Sequence, residues 1–103
     1  MSELGTDQVT ASVNHALWGE VTSRLRCVQF RTSGHRIDLR FFFDGAPNDD
    51  DREAIGPIGA EVAADFADAM VFEEAVGTSR GDPPARQPGW HIVYARKETS
   101  LAR

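Results

Sequence analysis

From Val9 onward the apolar positions Val9, Val13, Ala16 and Leu17 recur at helical spacing, with Trp18 beside them. The spacing predicts a helix from Thr6 or Asp7 to Trp18, stopped by Gly19. The residues to about Asp7 are small and polar and are expected to be unstructured. A period of two follows. Leu25 to Thr32 places Arg26, Val28 and Phe30 on one side and Cys27, Gln29 and Arg31 on the other. Arg36 to Asp44 alternates Ile37, Leu39, Phe41 and Phe43 against Asp38, Arg40, Phe42 and Asp44, the pattern of a half-buried strand. Between them lies Ser33-Gly34-His35, whose glycine supplies the positive φ of a tight turn, so the two runs read as a β-hairpin.

Asp44-Gly45-Ala46-Pro47 closes the hairpin, and Asn48 or Asp49 offers an N-cap for a second helix. Its apolar stripe is Ile55, Ile58, Gly59, Val62, Ala63 and Phe66. Gly56-Pro57 interrupts that stretch. A proline inside a helix costs about 3 kcal/mol, and each glycine about 1 kcal/mol relative to alanine. Either a kink or a short turn over 49–55 with a helix restarting at Pro57 is therefore expected. Met70 to Val76 reads as a third strand and Gly77 to Pro88 as a Gly- and Pro-rich loop. Trp90 to Arg96 reads as a fourth strand, with Trp90, Ile92 and Tyr94 opposed to His91, Val93 and Ala95. The tail over 99–103 is expected to fray. The expected fold is α+β, in the order α-β-β-α-β-β, with a four-stranded antiparallel sheet and both helices on one face. The other sheet face would be open.

At 103 residues and 11.3 kDa the chain has room for a single domain. No apolar run is long enough to cross a membrane, and the first ten residues do not read as a secretion signal, so a cytoplasmic protein is expected. Cys27, the one cysteine, excludes an internal disulfide and an all-cysteine zinc site. The three histidines show no metal-ligand spacing, and no phosphate-binding loop is present. Neither a cofactor nor a metal is expected.

The net charge of −5 argues against direct nucleic-acid binding. It conceals an uneven distribution. Residues 44–74 carry ten acids against the single base Arg52, while 21–43 carry five arginines against Asp38. Asp49, Asp50, Asp51 and Glu53 cluster at the start of the second helix. Glu61, Asp65 and Asp68 stand along it at i, i+4 and i+7, turned from the apolar stripe, a spacing at which like charges repel. Acids near a helix N-terminus meet the macrodipole favourably, but Asp65 and Asp68 lie too far along for that. Two readings follow: a merely solvated face, or a surface shaped for a basic partner. Phe42, beside Arg40 on the open side of the sheet, is a second candidate contact; a strongly twisted sheet would cover it instead.

Several short strings, taken together, resemble immunity proteins of bacterial contact-dependent growth-inhibition systems, the CdiI type. They are Leu17-Trp18-Gly19-Glu20-Val21-Thr22, Leu25-Arg26-Cys27-Val28, Leu39-Arg40-Phe41-Phe42-Phe43-Asp44-Gly45, Glu61-Val62-Ala63-Ala64-Asp65-Phe66 and Val93-Tyr94-Ala95-Arg96-Lys97-Glu98. The likeness spans about residues 16–98 and departs at Gly56-Pro57 and over 77–88. It implies a small non-enzymatic protein that binds and neutralises a cognate toxin domain, often a nuclease. An acidic helix suits that role, because carboxylates can occupy a groove built for phosphates. The alternatives are an interaction or homo-oligomerisation module using the open sheet face, and a small enzyme, which would need Cys27 exposed and reactive.

Overall fold

The computed structural model describes residues 4–79 and 87–97. The expectations for the first three residues, for the middle of the 77–88 loop and for the tail over 99–103 lie outside them. The elements are α1 (Thr6–Ala16), β1 (Leu25–Ser33), β2 (Arg36–Asp44), α2 (Asp49–Asp65), β3 (Met70–Thr78) and β4 (His91–Ala95). Helix α1 starts at Thr6, one of the two expected positions. It ends at Ala16, short of the expected Trp18.

The sheet is mixed, not antiparallel throughout. Its spatial order is β3-β2-β1-β4; β1 pairs antiparallel with both β2 and β4, and β3 runs parallel to β2. The physical reason is α2. Two parallel neighbours need a crossover connection, and a 17-residue helix between β2 and β3 provides one. The hairpin β1–β2 closes between Ser33 and Arg36, with Gly34 at φ +60° as the first central residue, the position a type II′ turn reserves for glycine.

Both helices lie on one sheet face. Val9, Val13, Ala16 and Leu17 from α1 and Ile55, Ile58 and Val62 from α2 share a core with Leu25, Val28, Phe30, Ile37, Leu39, Phe41 and Phe43. Arg26 does not join Val28 and Phe30. The register on β2 shifts between Leu25 and Cys27, and such a bulge returns two successive side chains to the same side. Leu25 takes the core position, while Arg26 crosses over β2 to donate to Thr78 Oγ1 at 2.8 Å and Ser79 O at 3.0 Å. A second register shift, between Val28 and Gln29, parts Ile92 from Tyr94: Tyr94 sits opposite Val28 and Ile92 opposite Gln29.

Helix α2 runs from Asp49 to Asp65 through Pro57 without the restart that was one of the two expectations there. Proline removes the donor that would bond the Glu53 carbonyl, but Glu53 and Pro57 both lie on the exposed side, where water can take it. Gly59 has a different reason. A Cβ there would run into the carboxylate of Glu73, which lies across the helix at that point. Gly56 has no such neighbour, and open space surrounds the position of its absent Cβ. Gly56→Ala is therefore expected to stabilise the protein by about 0.5–1 kcal/mol, read as a higher urea midpoint with an unchanged slope.

Candidate functional site

The acidic helix is set in place by its own first turn. Asn48 Oδ1 accepts from the Asp51 N–H at 2.7 Å, and Asp51 Oδ2 accepts from the Asn48 N–H at 3.0 Å, a reciprocal capping box. Arg24, just ahead of β1, also reaches Asp51: its Nε donates to both carboxylate oxygens at 3.1 Å and its Nη2 to Oδ2 at 2.9 Å. Asp51 is only 4% exposed. Burial acts to raise its pKa. The hydrogen bonds from Arg24 and from the Asn48 backbone, with the charges of Arg24 and Arg52, outweigh burial and hold the carboxyl below the usual range. Asp51 is thus an internal anchor and is not available to a partner.

The other acids of the segment divide by what they touch. Asp49 is 98% exposed, 3.9 Å from Arg52 in an i, i+3 pair. Asp50 and Glu53 are exposed. Glu61 lies 3.6 Å from His15 of α1 and keeps 48% of its side-chain surface, and Asp65 accepts from the Ser12 hydroxyl at 2.6 Å. These last two contacts pair α1 with α2 along their length. Asp68 is exposed but lies in the turn after α2, not on the helix. At 3.6 residues per turn, Asp49, Asp50, Glu53, Glu61 and Asp65 fall on one side of α2 with only Ala54, Pro57, Ala60 and Ala64 between them. On that side the carboxylates are the only long side chains. Arg52 falls on the other flank.

Phe42 is not a surface residue. It is 8% exposed, between Cys27 and Val76 in the neighbouring strands. On one side of it Arg26 spans the sheet to Thr78. On the other, Arg40 rests on the Trp90 ring at 4.0 Å and donates to Gln87 at 2.9 Å. The face expected to be open therefore carries the end of the β3–β4 connection, and Arg31 also stacks on Trp90, at 4.6 Å. Cys27 is buried as well. Burial pushes its thiol pKa up, against the pull of the Gln29 hydrogen bond and the Arg26 charge, so the exposed, reactive thiol that the enzyme reading requires is not there. Among the described residues no three His, Cys, Asp or Glu side chains cluster as metal ligands would.

At the far end of the sheet Asp44 gathers the strand ends. Arg96 donates to it at 2.8 and 3.2 Å, and Arg26 Nε lies at 3.6 Å. The Arg96 hydrogen bonds, against a smaller effect of burial, keep the Asp44 carboxyl low.

Both helices cover one face of the mixed sheet, and α2 carries the row of carboxylates. A sequence model of the MafI2 immunity protein family matches residues 6–98, nearly the whole described chain. The chain belongs to the MafI2 immunity protein family. No curated protein matches it. The immunity role that the short strings suggested holds at the level of this family, while the contact-dependent growth-inhibition type does not follow, because Maf is a different system. Membership of the MafI2 family implies a cognate toxin as partner. Among the described residues no helix is long and apolar enough to cross a membrane.

Charge counting along the sequence located the acidic segment but could not separate Asp51 from its neighbours. It included Glu73 and Glu74 in the count without singling them out. A visible signal was there: consecutive acids in mid-strand place a charge on each sheet face, which only an edge strand tolerates.

Proposed function

We propose that this immunity protein neutralises its cognate toxin domain by direct binding through the outer side of α2, and that the toxin domain presents a basic surface. The observation that carries this is the side of α2 on which Asp49, Asp50, Glu53 and Glu61 are exposed with only alanine and proline between them. Asp68 extends that charge beyond the helix, and Asp65 contributes its charge while bound to Ser12. A nuclease is the toxin class this chemistry suits best. Its phosphate-binding groove is necessarily cationic, and a rigid row of carboxylates fills it without contacting nucleic acid.

The test uses the toxin domain encoded by the neighbouring reading frame, chosen because co-expression of this chain relieves its toxicity. The triple variant Asp50→Lys/Glu53→Lys/Glu61→Lys changes exposed side chains and should melt near the wild-type temperature. Its affinity by calorimetry should fall at least tenfold. Wild-type affinity should weaken steeply with added salt, mainly through a slower association rate. Unchanged binding by the triple variant would remove α2 from the interface.

A further inference from the structure

The two edges of the sheet are built differently. Strand β4 has five residues and a register shift on β1, which are common ways of blunting an edge against unwanted pairing. Strand β3 has nine, in unbroken register on β2 from Arg36↔Met70 to Asp44↔Thr78, with neither proline nor lysine. Among the described residues no strand pairs with its outer side. The Met70 N–H donates to His35 O at 2.8 Å, and Thr78 O accepts from Gly45 N–H at 2.8 Å, so these residues turn their backbone groups inward. Strand alternation then directs the N–H and C=O groups of Val71, Glu73, Ala75 and Gly77 outward.

The side chains at the middle of this edge define what it can accept. Glu73 stands on the helix side, across Gly59 of α2, and Glu74 on the opposite side, where Arg40 approaches it at 3.3 Å. Both are exposed. A second copy pairing antiparallel about the strand centre, Glu74, would set that glutamate against its own image, which is destabilising. A strand with cations at its middle would meet opposite charge on both faces. Glu73 meets α2 at Gly59, on the flank that carries Arg52, so the negative charge of the edge is separate from the row of carboxylates on the helix.

We propose that the outer edge of β3 receives a strand of the toxin domain, one bearing lysine or arginine on both faces at its centre, which extends the sheet by one strand. This rests on the reading of the chain as a direct toxin binder and specifies how part of the toxin is held. The backbone of β3 supplies the hydrogen bonds, Glu74 disfavours self-pairing, and Glu73 and Glu74 together select the charge.

The test is Ala75→Pro in the full chain. The Ala75 N–H points away from β2, so its loss removes no bond from the sheet, and proline is tolerated on edge strands at such positions. A second variant, Glu73→Lys/Glu74→Lys, keeps the edge but reverses its charge. Both are expected to bind the same toxin domain at least tenfold more weakly. In the wild-type complex the amides of Glu73 and Ala75 should gain protection from hydrogen exchange, a measurement that decides the matter even if Ala75→Pro fails to fold. If the α2 triple variant binds weakly while both β3 variants bind normally and the β3 amides exchange as in the free protein, the edge is not used and the α2 reading stands. If the wild type does not bind the toxin domain at all, both proposals fall. Protection of the β3 amides in a toxin-free dimer would overturn the proposal in favour of a second copy.

Discussion

Asp51→Ala is expected to lower stability by about 2–3 kcal/mol, whereas Asp50→Ala, one residue earlier, should change it by less than about 0.5 kcal/mol. The substitution removes the half of the capping box that bonds the Asn48 N–H, a loss of about 1 kcal/mol. It also strips a buried carboxylate from its Arg24 contacts and leaves a small void, which accounts for the remainder. Arg24 is partly exposed and recovers water, so the loss stays below that of a fully buried ion pair. The pH dependence follows from the sign of the shift. The Asp51 carboxyl titrates lower in the folded chain than in the unfolded one, so its contribution is complete above about pH 4 and fades as pH falls through the depressed folded value. Asp44 acts in the same direction. Glu73, raised by burial, acts in the opposite one. Urea titrations at pH 7 and pH 3 should show the gap between wild type and Asp51→Ala narrowing in acid; a constant gap would mean that packing, not charge, holds Asp51. Function separates the pair the other way. At temperatures where both are folded, Asp50→Ala should weaken toxin binding more than Asp51→Ala.

The three aspartates at 49–51 show where linear reading stops. They are identical in composition and adjacent in sequence, yet one is an anchor and two are surface. What distinguishes them is an arginine 27 positions earlier in the chain, and no local pattern carries that. The hairpin was legible because a strict period of two around a glycine admits few alternatives. The direction of β3 was partly legible, since the length of the intervening helix is itself the mark of a parallel crossover, but short links elsewhere favoured an antiparallel sheet. The bulge at Arg26 was not legible, because one residue out of phase leaves the surrounding alternation intact. Phe42 was misread for a related reason. Its strand face was identified correctly, but that face also carries Arg26, reaching over the sheet to Thr78, and Trp90 and Gln87, held by Arg40 from far along the chain. Of the acidic site, the charge was legible from the sequence and the division between anchor and surface was not.

Phe41→Ala carries the largest expected effect, about 3–5 kcal/mol. Phe41, Phe42 and Phe43 are consecutive, but Phe41 is fully buried under the helices, in the same core as Val28, Leu39, Ile55 and Ile58. Its register partners are Val28 on β1 and Ala75 on β3. Deleting the ring opens a cavity between the middle of the sheet and α2, directly beside the position on β3 that the edge proposal uses. A domain of this size has about 5–15 kcal/mol in total, so the variant is expected to lose much of its folded population at growth temperature. Its failure to protect against the toxin should be temperature-dependent: weak at 37 °C and largely restored at 20 °C, with thermal unfolding shifted down in parallel. A surface variant behaves otherwise. Reversal of Asp50, Glu53 and Glu61 should impair protection at both temperatures with only a small fall in melting, because it removes the complementary charge and leaves the core intact. If Phe41→Ala failed equally at both temperatures while remaining folded, Phe41 would bear on binding directly and the division between scaffold and acidic surface would have to be redrawn.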